Sequence, residues 1–349
     1  METICAKVTD IMSIESKEVI EKAAEIIKCG GLVVFPTETV YGLGGDATDF
    51  AAAEKIYAAK GRPADNPLII HISDPCDAEL YTYTNDLYYK LAQAFMPGPL
   101  TVILKAKDVI PKTVTAGLDT VAVRCPSHPV AREFIKTAKT AIAAPSANLS
   151  GSPSPTCFKY VAEDMSGRVD MIIDGGECEI GLESTIVKIE SDNSLTLLRP
   201  GAVTVDDLSE ICDNIKIADA VLSSLKEGET VLSPGMKYKH YAPKSQFYLL
   251  AGDFEARLNY IHQNTKNSVL LCYEEELDAF AQFLPSDMIF NIGKKRDKLS
   301  HAHKLFTLLR DADAKHADAI YAPLPELDGI GMALYNRMIR AAAHRIINL

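Results

Sequence analysis

The chain has 349 residues, 47% apolar and 24% charged, which excludes wholesale disorder and exceeds the size of one ordinary domain, so two domains are expected. No stretch approaches 18 uninterrupted apolar residues, and the start METICAKVTD has no apolar run ending in small residues, so neither a membrane span nor a signal peptide is expected. The net charge of −11 argues against broad electrostatic attachment to nucleic acid or an anionic membrane. The eight cysteines are scattered with no C-x-x-C pair, so no zinc ribbon or dithiol motif is encoded locally, and reduced thiols in a cytoplasmic protein are expected.

Taken in chain order, residues 17–29 place Val19, Ile20, Ala23, Ala24, Ile26 and Ile27 at helical spacing, and Gly30-Gly31 stops the helix. LVVFP is a short strand, followed by the polar loop TETVYGLGGD and a helix over 49–60. Strands are predicted at 67–72, 100–106, 120–126, 141–145, 170–174, 184–189 and 196–200, with helices at 86–95, 128–138 and 156–163. This half reads as a mixed, twisted α/β sheet. A helical pattern near 204–214 leads into a linker-like region at 226–245. Beyond it, apolar runs at 247–252, 268–273, 287–292 and 318–323 alternate with helical patterns at 253–264, 274–283, 297–312 and 326–346. Four βα units in a row point to a small parallel, Rossmann-like domain. The boundaries drawn are 1–205, a linker over 206–244, and 245–349.

No P-loop pattern occurs, Gly42-Leu43-Gly44-Gly45 lacks the third glycine of a dinucleotide fingerprint, and there is no G-x-S-x-G elbow. His301 and His303 have no partner pattern and read as helix-surface residues. What remains is a series of polar clusters at the ends of apolar strands, where α/β proteins bind ligands. They are Pro36-Thr37-Glu38-Thr39, Lys60-Gly61-Arg62 with Asn66 and His71, Thr120 with Arg124, Ser146-Ala147-Asn148, Glu183-Ser184-Thr185 and Arg199-Pro200-Gly201. Each has an ordinary explanation: Lys60 and Arg62 as a basic helix end, Ser146-Ala147-Asn148 as turn chemistry, His71 as a core histidine. Arg124 and Arg199 in apolar strands demand an anionic partner more strongly. Together, four cations with hydroxyl and amide donors suit phosphates plus a carboxylate. No nucleophilic side chain stands out, which fits a reaction whose nucleophile belongs to the substrate.

GGLVVFPTETVYGLG, KIYAAKGRPADNPLIIHI, FMPGPLTVILK, TVAVRCP, APSANLSG and ESTIVKI followed by LLRPGAV occur in one order over roughly residues 10–205. In this the chain resembles the YrdC-type family of L-threonylcarbamoyladenylate synthases, and the later SPGMKYKHYAPK plus an α/β domain resembles the family's long, two-domain form. The resemblance implies a twisted sheet with a concave basic cavity, and synthesis of threonylcarbamoyl-AMP and pyrophosphate from L-threonine, bicarbonate or CO2, and ATP with Mg2+. It also implies that the product passes to a transferase complex acting on tRNA; from the acidic charge and the hydropathy, weak or absent tRNA binding and no membrane are expected, and no protein metal ligand is assigned. Carried over by motif, Thr39, His71, Arg124, Ala144 and Ser184 match threonine-binding positions. Arg62, Asn66, Thr120, Ser146, Ser154, Arg199 and Tyr241 match nucleotide positions, and Lys60 with Arg62 forms the pair expected to act on the phosphates. The basic stretch 231–244, with Lys237, His240 and Tyr241, is expected to close as a lid. Two alternatives are a direct RNA-binding role, against which the acidic charge weighs, and carbamoyl transfer, whose known hosts carry zinc-binding cysteine pairs absent here. What the C-terminal domain binds is not legible.

Overall fold

A computed structural model describes residues 2–223, 241–264 and 267–349. It divides into two compact units, one of Met1–Ser150, Ser154–Glu179 and Glu183–Lys237, the other of Gly151–Pro153, Ile180–Leu182 and Tyr238–Leu349. The predicted lid, 231–244, falls mostly outside the described residues, Lys237 and His240 included; of its residues only 241–244 are described.

The first unit is built on strands β1 (Ile4–Lys7), β2 (Val33–Phe35), β3 (Gly42–Asp46), β4 (Ile69–His71), β5 (Thr82–Tyr83) and β6 (Leu100–Ala106). It continues with β7 (Thr120–Arg124), β8 (Ile142–Ala144), β9 (Met171–Asp174), β10 (Thr185–Ser191), β11 (Ser194–Arg199) and β12 (Ile215–Ile217). They form one mixed sheet in the order β1-β9-β2-β3-β8-β4-β7-β6-β10-β11-β12, with β5 on β6. The mixed α/β class expected for this half is what the sheet shows. Its β9-β2-β3-β8 portion is covered by two helices. Helix Ile14–Lys28 starts on a Ser13 cap that accepts from the Ser16 amide, and helix Pro129–Ala138 begins on proline at its first position. Ile20, Ala23, Ile27, Phe134 and Ile135 pack with Phe35, Ile142 and Ala144 into a core that excludes water.

Gly42–Asp46, expected as loop, is instead a strand, antiparallel to both β2 and β8. Its glycines serve packing: a Cβ at Gly44 would sit 2.7 Å from Ile142 Cγ2 and 2.9 Å from Phe35 Cε1. Residues 206–223, assigned to the linker, carry helix Val205–Ser209 and β12, which pairs in parallel with β11 and so extends the first sheet. Three-residue strands such as β12 are too short for an alternating pattern to register.

The second unit is a wholly parallel sheet of β13 (Gln246–Ala251), β14 (Ser268–Cys272), β15 (Ile289–Asn291), β16 (Ala319–Pro323) and β17 (Ile346–Asn348) in the order β15-β14-β16-β13-β17. The parallel Rossmann-like architecture expected here is present, with one strand more than predicted. The helix expected over 326–346 runs only from Gly331 to Ala341. Ala343 and His344 adopt φ of 49° and 61°, which ends the helix and releases β17. The helix expected over 274–283 is a 3-10 turn at Glu274–Glu276 followed by Leu277–Phe280.

Candidate functional site

The apolar face formed by Ile69, Ile103, Ala122, Ile186 and Leu198 gives way to polar residues at both ends of the central strands. At the ends of β4 and β7, His71 pairs in register with Arg124, and Arg124 pairs across to Thr101 on β6. Directly opposed residues project from the same face, so the three side chains share it. Arg124 is 4% exposed. Its Nη2 donates to Glu38 Oε1 at 2.6 Å, its Nε to the Gly98 carbonyl at 3.4 Å, and Glu38 Oε2 accepts from the Ser127 amide at 3.1 Å. The buried arginine thus has the anionic partner its setting demands, and that partner is a residue of this chain.

His71 has its ring edge-on to Phe35 at 5.9 Å and its Nδ1 3.4 Å from the Ile142 carbonyl. A carbonyl only accepts, so Nδ1 carries the proton. Burial, and then the Arg124 charge, push this imidazole down to about 3, so it is neutral at physiological pH. Thr39 is fully buried, its hydroxyl 2.9 Å from that of Thr37. Ala144 ends β8, opposite Ile69.

A second group lies at the starts of the same strands. Helix Phe50–Lys60 ends on Gly61, which takes φ 61°, with the Gly61 amide bonded to the Ala58 carbonyl and the Arg62 amide to the Tyr57 carbonyl. That turn buries Lys60 and carries Arg62 to the loop before β4. Arg62 Nη2 donates to the carbonyls of Asn66 and Pro67 at 3.1 and 3.2 Å. Asn66 is 1% exposed, and among the described residues neither its Oδ1 nor its Nδ2 has a partner. Thr120 begins β7, roughly 13 Å along the strand from Arg124 at 3.3 Å per residue. Because Ile69 pairs with Ala122, Thr120 lies level with Pro67. Arg62, Asn66 and Thr120 therefore gather at one end of the face, and His71 and Arg124 at the other.

Lys60 Nζ donates to the carbonyls of Ser146 and Asn148, the latter at 2.6 Å, and to Asn148 Oδ1 at 3.3 Å. Ser146 Oγ lies 2.5 Å from that same Oδ1. The lysine expected to face phosphates thus holds the Ser146–Asn148 loop. On the β6-β10-β11 side, Ser184 Oγ meets Thr101 Oγ1 at 2.7 Å, and Arg199 donates to the Ser184 carbonyl at 3.0 Å and to its Oγ at 3.1 Å. Ser154 donates to Glu183 Oε1 at 2.6 Å. Tyr241 belongs to the second unit, where its ring stacks on Phe306 at 5.1 Å and the Arg337 guanidinium lies 5.8 Å from it. Residues outside the motif assignments that support the assigned ones include Thr37, Glu38, Thr101, Asn148 and Glu183. All but Thr101 stand in the polar clusters of the sequence, so adjacency to an assigned residue was the available signal. Among the described residues no cluster of His, Cys, Asp or Glu could hold a metal ion.

A family model described as "Telomere recombination" (Sua5/YciO/YrdC) matches residues 25–201, and one described as "Threonylcarbamoyl-AMP synthase, C-terminal domain" matches 203–343. The chain is 41% identical over 332 residues to a threonylcarbamoyl-AMP synthase of Pyrococcus abyssi, covering 94% of this chain and 95% of that protein. It is 40% identical over 345 residues to the Bacillus subtilis enzyme of the same name, covering 97% of each. The crystal structure of P. abyssi Sua5 complexed with L-threonine superposes with a TM-score of 0.90 at 38% identity, covering 99% of this chain and all of that one. E. coli YciO, at 23% identity and a TM-score of 0.50, shares the fold over 57% of this chain.

Proposed function

The chain belongs to the Sua5/YciO/YrdC family, and on that premise we propose that it is a nucleotidyltransferase joining L-threonine, bicarbonate or CO2, and ATP into threonylcarbamoyl-AMP and pyrophosphate, for threonylcarbamoyladenosine modification of tRNA. The observation that carries the reading is the division of one sheet face: a guanidinium for a carboxylate at one end, and at the other Arg62 with the Asn66 amide, which has no partner among the described residues. A buried amide with both ends unmet costs about 1–3 kcal/mol, a cost that a bound ligand relieves.

Arg124 receives the threonine carboxylate, with Thr39, neutral His71, Ala144 and Ser184 around the amino acid. The ammonium first gives up a proton to solvent, the free amine adds to carbon dioxide with loss of a second, and a carbamate oxygen attacks the α-phosphorus in line as pyrophosphate leaves. Such a displacement needs alignment and charge neutralisation more than covalent help. Arg62 and Arg199 offset phosphate charge, while Asn66, Thr120, Ser146, Ser154 and Tyr241 are the residues proposed to bind the nucleotide. Lys60 acts through the Ser146–Asn148 loop that it holds. Mg2+ is proposed to accompany the triphosphate as part of the substrate. The free cysteines support the reading of a cytoplasmic protein, one whose product passes to a separate transferase complex.

Purified protein with ATP, L-threonine and bicarbonate should yield threonylcarbamoyl-AMP by mass spectrometry, with stoichiometric pyrophosphate. Pyrophosphate released equally well without threonine would refute the reading.

A further inference from the structure

Arg124 and Glu38 are each 4% exposed, and both carboxylate oxygens of Glu38 are committed, one to Arg124 Nη2 and one to the Ser127 amide. With Nε on the Gly98 carbonyl, the guanidinium is gripped along one edge. Nη1 has no partner among the described residues and is left as the donor for an incoming group. We propose that Glu38 fixes Arg124 in this pose and makes this end of the site selective for a zwitterion over a simple carboxylate. The proposal rests on the reading that Arg124 receives the substrate carboxylate.

Charge sets this selectivity. Arg124 and Glu38 sum to zero, and their register neighbour His71 is held neutral by burial. A monoanion seated on Nη1 would leave one uncompensated negative charge in a water-poor place, which is costly. An α-amino acid brings its own ammonium, so the buried group stays neutral overall. Discrimination then arises from a repulsive element as much as from an attractive contact. Glu38 is a positioning and specificity residue in this scheme: with both oxygens already accepting, it is not poised to take the amine proton.

Calorimetry on the intact chain tests this with L-threonine and 3-hydroxybutanoate, which differ only by the amino group. The wild type should bind the hydroxy acid at least about 30-fold more weakly. Glu38→Gln removes the charge and keeps the shape; the preference should shrink to about fivefold or less, with KM for threonine rising about tenfold while KM for ATP and kcat change less than about twofold. Glu38→Asp keeps the charge but shortens the reach, so threonine affinity should fall while the preference persists. Equal wild-type affinity for the two acids, within about threefold, overturns the proposal, and this arm needs no variant to fold. A Glu38→Gln chain with unaltered preference overturns it as well. If the wild type binds no L-threonine, the functional reading itself falls, and this proposal with it.

Discussion

At the scale of single residues, His71 ties site to stability. Its imidazole is pushed down to about 3, first by burial and then by Arg124, from about 6.5 in an unfolded chain. Above pH 6.5 both states are neutral and the contribution of this residue is complete. As pH falls from there toward 3, the unfolded chain takes up a proton that the folded chain refuses, and stability drops by about 1.4 kcal/mol per pH unit. Between pH 7 and pH 5 the loss from this one group is about 2 kcal/mol. His71→Asn should remove that part of the slope, whatever its offset at pH 7. Urea unfolding of both proteins at pH 7, 6 and 5 measures it. Parallel curves would mean that His71 titrates alike in the folded and unfolded chains.

At the scale of elements, the β10–β11 hairpin sets Arg199 on Ser184, and Gly201 closes it. A Cβ on Gly201 would stand 2.4 Å from the Thr185 amide nitrogen and 2.7 Å from Thr185 Oγ1. That is rigid backbone, and the Thr185 hydroxyl is itself bonded to the Val203 carbonyl at 2.7 Å. Gly201→Ala should therefore cost about 1–3 kcal/mol, the usual range for overpacking, and weaken ATP binding more than threonine binding because Arg199 moves with the strand end. A variant with wild-type unfolding midpoint and ATP affinity would show that the hairpin relaxes freely. The same elements show what the sequence could and could not disclose. Long apolar runs such as Leu100–Ala106, and the helix Asp86–Phe95, were legible to the residue because burial writes a period into them. Gly42–Asp46 was not, since a strand made of glycine for close packing carries the signature of a loop. The motifs placed the assigned residues at strand ends, but pairing register alone divides Arg62, Asn66 and Thr120 from His71 and Arg124. Register is a property of neighbours distant in sequence, and no local pattern encodes it.

At the scale of the whole molecule, the proposed binding residues fall unevenly between the two units. Thr39, His71, Arg124, Ala144 and Ser184, with their supports Glu38 and Thr101, all lie in the first unit, and of the proposed nucleotide residues only Tyr241 lies in the second. The first sheet, moreover, does not end at residue 205: β12 pairs with β11, and Ala218 packs against the apolar cluster under the site. A cut after Gly201 would strip that edge and confound loss of fold with loss of function, whereas a fragment of residues 1–223 keeps it. This fragment should unfold cooperatively and bind L-threonine within about threefold of the intact chain, since every proposed contact and its support is present. The fragment lacks Tyr241, so on the proposed assignment of that residue to the nucleotide its ATP affinity should fall by about tenfold or more. Calorimetry with each ligand separates the two effects. Threonine affinity lost along with ATP affinity, in a fragment that still melts cooperatively, would mean that the second unit supplies part of the amino-acid site and that Arg124 does not hold the substrate with first-unit partners alone.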